Sequence, residues 1–483
     1  MTAEQETLLQ EPVFRYFHQL CQIPRPSLRE GQISDYLLHW AQDNGLDVKQ
    51  DAAKNIFIRK PASPGYEAAP CVMLQAHMDM VCEKAPHVEH DFDRDPIQWQ
   101  IEGDRITTGG RTTLGADDGI GVAFAMAALT DPKLAHPQLE VLFTTAEEED
   151  FSGSCGFDVS QVRASYLINL DHADEKQILC GSCGGQAVGL TVPVSSAPVP
   201  AGWTARTLTV SGLHGGHSGE DIHRGHGNAT TLLMRTLLAL EEQGIPFRLG
   251  PVSGGSFRLA IPRDAHAVVC FPADQEKAVE QAVQEQEAVM RREFSITGAQ
   301  LRLTLAQAPA PGWCAEAGPV ITAALLAPDG IYQMNEALLG LVDSSDNMGE
   351  FYLEEGQLRL VFEIRSAQAS VGNYLYQRIC RLAKVLGGQC VTDKAYPSWE
   401  FRAESSFRDI ADQAYRELFG QEPEHLTVHA GLEVGFLTEG KPDIDAIAIG
   451  PNCWNFHSPS EMLQISSARK VYQLMCHILS AIH

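Results

Sequence analysis

The chain has no run approaching the roughly 18–20 consecutive apolar residues needed to cross a bilayer. It is short of positive charge as well: 36 Lys and Arg face 62 Asp and Glu, a formal net charge of −26. A surface of that sign repels phosphate backbones and anionic lipid, so neither nucleic acid nor a membrane is expected as a partner. The first residues, MTAEQETLLQ, lack the basic start and apolar stretch of an export signal. No serine stands in a Gly-X-Ser-X-Gly elbow between a strand and a helix, which argues against a serine hydrolase. Internal repeats and low-complexity segments are also missing.

Cysteine is not scarce, at 12 residues, but its spacing makes no framework. Cys180 and Cys183 in LCGSCGG form a Cys-X-X-Cys pair. No second pair completes a zinc knuckle, and no helix start follows as a redox site requires. Reduced, buried thiols and a cytoplasmic protein are the expectation.

What is present is a globular composition, 44% apolar and 20% charged, in a chain long enough for about two to three domains. Early on, NIFIR, CVMLQA, LEVLFTT and SYLINL read as strands, and GIGVAFAMAALTD as an apolar helix in spite of its glycines. Ser27 and Glu30 read as a capping box for a helix through ISDYLLHWAQ, with Asn44-Gly45 as its stop. This alternation predicts an α/β layer around a largely buried sheet. Past residue 187 the texture changes. A linker-like SSAPVPAG precedes the strands RTLTVSG, AHAVVCF and LRLVFEIR, set among longer helices and ending near AYPSWEF. The tail returns to α/β style with IDAIAIG and ARKVYQLMCHILSAI.

Four early segments, most of them strand ends, run straight into side chains that bind metals. CVMLQA ends in His77 and Asp79, LGADDG offers Asp117 and Asp118 before a helix, LFTTAEEED carries Glu147, Glu148 and Glu149, and YLINLD ends in Asp171. The late strand IDAIAIG leads to His457. In open α/β sheets the carboxyl ends of the strands form the ligand-binding rim. A lone His-X-Asp, an acidic run or an Asp doublet is commonly a turn, a solvated edge or a helix cap. Five such segments on one rim point instead to a shared metal site. Two imidazoles and three carboxylates without a thiolate suit two divalent ions, Zn²⁺ foremost, with Mn²⁺ or Co²⁺ also fitting. A water between two such ions becomes a hydroxide near neutral pH. Asp79 can hold the second ring nitrogen of His77 and so set its tautomer.

Taken in order, QAHMDM, LGADDG, AEEE, INLD, GLHGGHSG, HAGLE and GP…HSP resemble the M20 metallopeptidases over nearly the whole chain. Within them they are most similar to the aminoacyl-histidine dipeptidases, also described as peptidase D or cytosolic non-specific dipeptidases. The resemblance implies an α/β, di-metal aminopeptidase-like catalytic domain with a buried mixed sheet, plus an inserted α+β lid or dimerisation domain. Residues 1–187 and 399–483 would form the first and 188–398 the second, in a homodimer acting on dipeptides through a metal-bridging hydroxide. Asp117 would bridge the ions, His77 and Asp171 would complete one position, and Glu148 and His457 the other. Glu147 would be the general base, with Asp79 behind His77; a register shifted by one would make Glu148 the base and Glu149 the ligand. His217, in GGHSG, would stabilise the oxyanion. Arg365, in FEIRS, would hold the substrate's terminal carboxylate, with Asn228 a weaker choice for the same end.

Other features compete. HVEHDFDRD has Pro96 where a calcium loop needs glycine and reads as an acidic surface loop. His214, His217, His223 and His226 could hold a third ion, or line the inserted domain. An N-acyl-amino-acid amidohydrolase or carboxypeptidase would use the same machinery as a dipeptidase, and an inactive metal-bearing binding protein would keep the fold. A free base at Glu147 counts against the last.

Overall fold

The computed structural model describes residues 2–483, apart from the side chains of residues 393 and 394. Two compact units emerge, Met1–Gly181 with Trp399–Thr427 and Leu432–His483, and Ser182–Ser398 with Val428–Gly431. Among the described residues no helix is long and apolar enough to cross a membrane.

The first unit is built on an eight-stranded mixed sheet. Its order is Asp47–Gln50, Ile56–Lys60, Leu139–Thr144, Val72–His77, Tyr166–Asn169, Asp445–Ala448, Gln177–Ser182 and Glu424–Val428. The central strands Leu139–Thr144, Val72–His77, Tyr166–Asn169 and Asp445–Ala448 are parallel neighbours. Val72–His77 and Leu139–Thr144 are buried at every residue, which explains why they read as continuous apolar runs and not as alternating ones. Each large side chain here carries core energy: truncating Leu74, which is fully buried, to alanine should cost about 2–5 kcal/mol. Because the central strands run parallel, their carboxyl ends lie on one edge.

The helix Ala116–Thr130 is buried almost all round and packs in this core; Asp117 and Asp118 keep non-helical backbone angles at its head. Its glycines are close-approach positions. A Cβ at Gly119 would run into the Arg25 guanidinium, and one at Gly121 into the Asp118 carboxylate. The Ser27–Glu30 capping box does not form. Helix Gly31–Asp43 starts without a side-chain cap; the Ser27 hydroxyl donates to Asp79 at 2.8 Å, and Glu30 accepts from the nitrogens of Leu28 and Ala146. Long-range partners outcompete the local cap.

The second unit has an 11-stranded sheet of largely antiparallel pairs with its own core. Helices Ala229–Glu242, Glu276–Glu293, Ala317–Leu326 and Ala369–Val385 accompany it. The division from the first unit falls at 181/182, not at 187/188, because Gly184–Pro193 is a full strand paired with Gln357–Ser366. The glycines of that strand had hidden its alternation. SSAPVPAG is not wholly irregular either, since Ser196–Ala197 pairs with Cys314–Glu316.

Candidate metal centre

The carboxyl edge of the first unit's sheet collects the acids. His77 is the last residue of its strand and is fully buried. Glu147 and Glu148 follow Leu139–Thr144, and Asp171 follows Tyr166–Asn169. Asp117 heads the helix Ala116–Thr130, and His457 sits in the loop between the short strands Cys453–Trp454 and Met462–Gln464. Asp117 stands between the two histidines: its Oδ1 is 3.0 Å from His77 Nε2 and its Oδ2 3.3 Å from His457 Nε2. Asp171 Oδ1 lies 3.9 Å from His77 Nε2, and Glu148 Oε2 2.9 Å from His457 Nε2.

Three sets of ligand atoms each fall within 4.8 Å of one another: His77 with Asp117 and Asp171, His77 with Glu147 and Glu148, and Asp117 with Glu148 and His457. Among the described residues no Lys or Arg comes within ion-pair distance of Asp117, Asp171, Glu147 or Glu148. Buried carboxylates without a counter-charge are costly. The electrostatics agree. Burial pushes the carboxyls of Glu147 and Asp171 well up, helped by the acids around them. Hydrogen bonds to Asp117 and Glu148 raise His457 to about 10. Burial works against a proton on His77, but the carboxylates of Asp117 and Asp79 prevail and raise it. No Lys or Arg among the described residues balances the acids, and the two imidazoles and oxygen donors fit divalent cations.

Behind these groups lies a supporting layer. Asp79 is fully buried; its Oδ1 is 3.3 Å from His77 Nδ1, and the carboxylate accepts the peptide N–H groups of Glu147 at 3.1 Å and Glu148 at 3.2 Å. Asp118 takes the His77 N–H at 3.2 Å and the Gly121 N–H. Gln75, Thr144 and Ser154 donate to Glu433, and Gln75 in turn receives Asn169. Arg25 donates to the carbonyls of Met78, Asp79 and Gly115. Four peptide nitrogens, Leu114 to Asp117, point at Glu461. Of these helpers, sequence reasoning named Asp79 as a support and Asp118 only beside the candidate ligands. Glu433 and Glu461 end the motifs HAGLE and HSPSE and could have been flagged; Arg25 offers no local signal.

Glu147 is half-buried and its carboxyl accepts no hydrogen bond from a described residue, whereas Glu149 is exposed. In the second unit, His217 Nδ1 accepts the N–H groups of Gly219 at 3.3 Å and Glu220 at 3.1 Å. That leaves Nε2 as the protonated, donating nitrogen. Burial and the nearby Arg365 lower its pKa and keep the ring neutral. His217 lines a cavity of about 620 Å³ with His214, Phe257, Arg263 and His266. Arg365 is 4% exposed, and its guanidinium donates to the hydroxyls of Ser218 at 3.4 Å and Tyr396 at 3.0 Å, with the Cys183 thiol also bonded to it. No carboxylate of a described residue lies within ion-pair distance of it, and Glu363 acts on it only from farther off. Asn228 is otherwise engaged: its oxygen caps helix Ala229–Glu242, and its amide donates to Met348 O and Asp329.

The competing features do not assemble. His214, His223 and His226 join no metal-holding set among the described residues, nor does the 87–95 loop, where Asp91 and Asp95 bond to their own backbone turn. Cys180 and Cys183 are free and buried, and burial pushes their thiols up to about 12 and about 11.

The profile of the peptidase family M20/M25/M40 matches residues 73–481. The cytosol non-specific dipeptidase of Escherichia coli (strain K12) is 35% identical over 483 residues, 99% of each chain. The aminoacylhistidine dipeptidase of Vibrio alginolyticus superposes with a TM-score of 0.93 at 33% identity, covering 100% of this chain and 98% of that one. The aminopeptidase PepT of Bacillus cereus shares the fold alone, at a TM-score of 0.57 and 15% identity, over 98% of each chain. A full-length relative, a profile that spans most of the chain and a rim of imidazoles and carboxylates all agree: the chain belongs to peptidase family M20/M25/M40 and is a metallopeptidase.

Proposed function

We propose that the protein is a dipeptidase that cleaves short peptides bearing a free terminal carboxylate, Xaa-His among them, with two divalent cations, Zn²⁺ foremost. The observation that carries this reading is Asp117, whose two oxygens face His77 and His457 from opposite ends of one carboxylate. His77, Asp117 and Asp171 would hold one cation, and Asp117, Glu148 and His457 the other. When bound, such ions polarise a carbonyl and acidify a water near neutral pH.

The chain's own residues do the rest. Glu147, beside the ligands and with a carboxyl that accepts no hydrogen bond from a described residue, takes the proton of the attacking water and returns it to the leaving amine. Asp79 holds the ring of His77 and the backbone of the glutamate pair. His217 offers a neutral Nε2–H to the oxygen that turns negative as the carbonyl is attacked. Arg365 takes the terminal carboxylate in a charge-assisted, two-pronged bond. Asn228 is left out of the substrate set, because both ends of its amide are engaged. The second unit would serve as lid and dimerisation domain; Ile331, Tyr332 and Met334 lie exposed on its strand Gly330–Met334. A cytoplasmic homodimer completes the reading.

The test is a substrate panel on protein stripped with EDTA and reloaded with Zn²⁺, Mn²⁺ or Co²⁺. Dipeptide hydrolysis should vanish and return with metal. Turnover of N-acyl amino acids or longer peptides in place of dipeptides would move the protein to another activity of the family. Bound metal with no turnover of any of them would leave a binding protein.

A further inference from the structure

Glu461 lies four residues beyond His457 and is 2% exposed. Its Oε2 accepts the peptide N–H groups of Leu114 at 2.7 Å and Gly115 at 3.0 Å; its Oε1 accepts those of Ala116 at 2.8 Å and Asp117 at 3.4 Å. Successive peptide nitrogens converge on one point only in a nest-like turn, and Gly115 supplies the bend with φ 68°. From the other side, Arg25 grips the carbonyl of Gly115. The turn that carries Glu461 is itself tied: Glu461 N donates to Ser458 O at 3.1 Å, and Ser458 Oγ to Asn455 O at 2.7 Å. One short segment, 455–461, thus presents the imidazole of His457 and also holds the backbone from which Asp117 projects.

We propose that Glu461 is a positioning residue that sets the aim of Asp117 toward His457, and so governs affinity at the Asp117–Glu148–His457 cation position more than at the other. This rests on the two-cation reading above. Asp117 also serves the His77 side, but His77 and Asp171 are anchored on their own strands and by Asp79 and Asn169. The Asp117–Glu148–His457 position takes one ligand from the loop that Glu461 holds and another from the turn that carries it. Supporting residues behind metal ligands typically change affinity by about 10–100-fold when replaced.

The experiment uses the full chain stripped with chelator and titrated with Zn²⁺ or Co²⁺ alone. Glu461→Gln keeps the size but turns one acceptor into a donor, so two peptide N–H groups lose their partner. Wild type should take up two ions, and the variant should hold the first about as well and the second about 10–100-fold more weakly, with apo-protein unfolding little changed. Two ions bound as in wild type, or equal weakening of both, would overturn the proposal. Should the variant fail to fold, amide hydrogen exchange of the metal-free wild type decides. Slow exchange at Gly115 to Asp117 is expected, and exchange as fast as in an open loop would sink the clamp. A wild type that binds fewer than two ions would instead defeat the two-cation reading, while the exchange measurement still reports on Glu461.

Discussion

Asp79 accepts the peptide N–H of Glu147 at 3.1 Å, so the loop that bears the glutamate pair hangs from the strand end that bears His77. The same carboxylate takes the N–H of Glu148 and faces His77 Nδ1. A group that looks like a simple partner for one imidazole therefore sets the register of two further acids.

Replacing Asp79 with asparagine should accordingly affect several ligands at once. The amide cannot accept on both sides, so metal affinity should fall by about 10–100-fold and hydrolysis with it. Metal titration of the stripped variant beside wild type checks this; unchanged affinity would confine Asp79 to a packing role.

Glu147→Gln should retain the metal and lower the turnover of a dipeptide by several orders of magnitude. Glu149→Gln should leave both near wild type, since Glu149 is exposed. Elemental analysis paired with initial rates separates the two registers. Loss of metal in the first variant, or of activity in the second, would shift the base to Glu148.

His217→Ala should reduce kcat by about 10²–10³-fold, the range for removal of one oxyanion donor, without loss of bound metal. The ring's tautomer is set by the N–H groups of Gly219 and Glu220, so the effect should be flat with pH across neutrality.

For Arg365 the expected outcome depends on the substrate. Arg365→Lys gives up the two-pronged bond, so KM for dipeptides with a free carboxylate should rise while that for C-terminally amidated dipeptides changes little. Equal losses on both substrates would mean that Arg365 only supports the second unit's interior.

A pH effect on stability is expected from Asp346 in the second unit. Burial raises its carboxyl from 3.8 to about 7, with Arg378 opposing and Asp329 adding to the rise. Between those values the unfolded chain has lost a proton that the folded one keeps, so stability falls as pH rises from about 4 to about 7. Asp346→Asn removes that slope. Its melting temperature relative to wild type should climb over this window and level off above it; a constant difference would refute the assignment.

Much of this was legible before any fold was known. The strands that carry His77, Glu147 and Asp171 are local apolar runs, and burial on both faces of a parallel sheet writes itself into consecutive residues. Acids and imidazoles directly after such runs stand out because core packing has no use for them. Where helpers come from far along the chain, local pattern misleads. Ser27 and Glu30 look like a cap, but their side chains reach Asp79 and Ala146. Asn228 looks available to a substrate but is spent on its own helix and on Met348.

The sequence by itself determined which residue types end each central strand, and thereby that metal chemistry belongs on one edge of the sheet. Only the tertiary structure decided how those groups are aimed. Peptide N–H groups and carbonyls carry no residue identity, so the grip of Glu461 on Leu114 to Asp117, and of Asp79 on the glutamate pair, exists only once distant backbone is brought within hydrogen-bond reach.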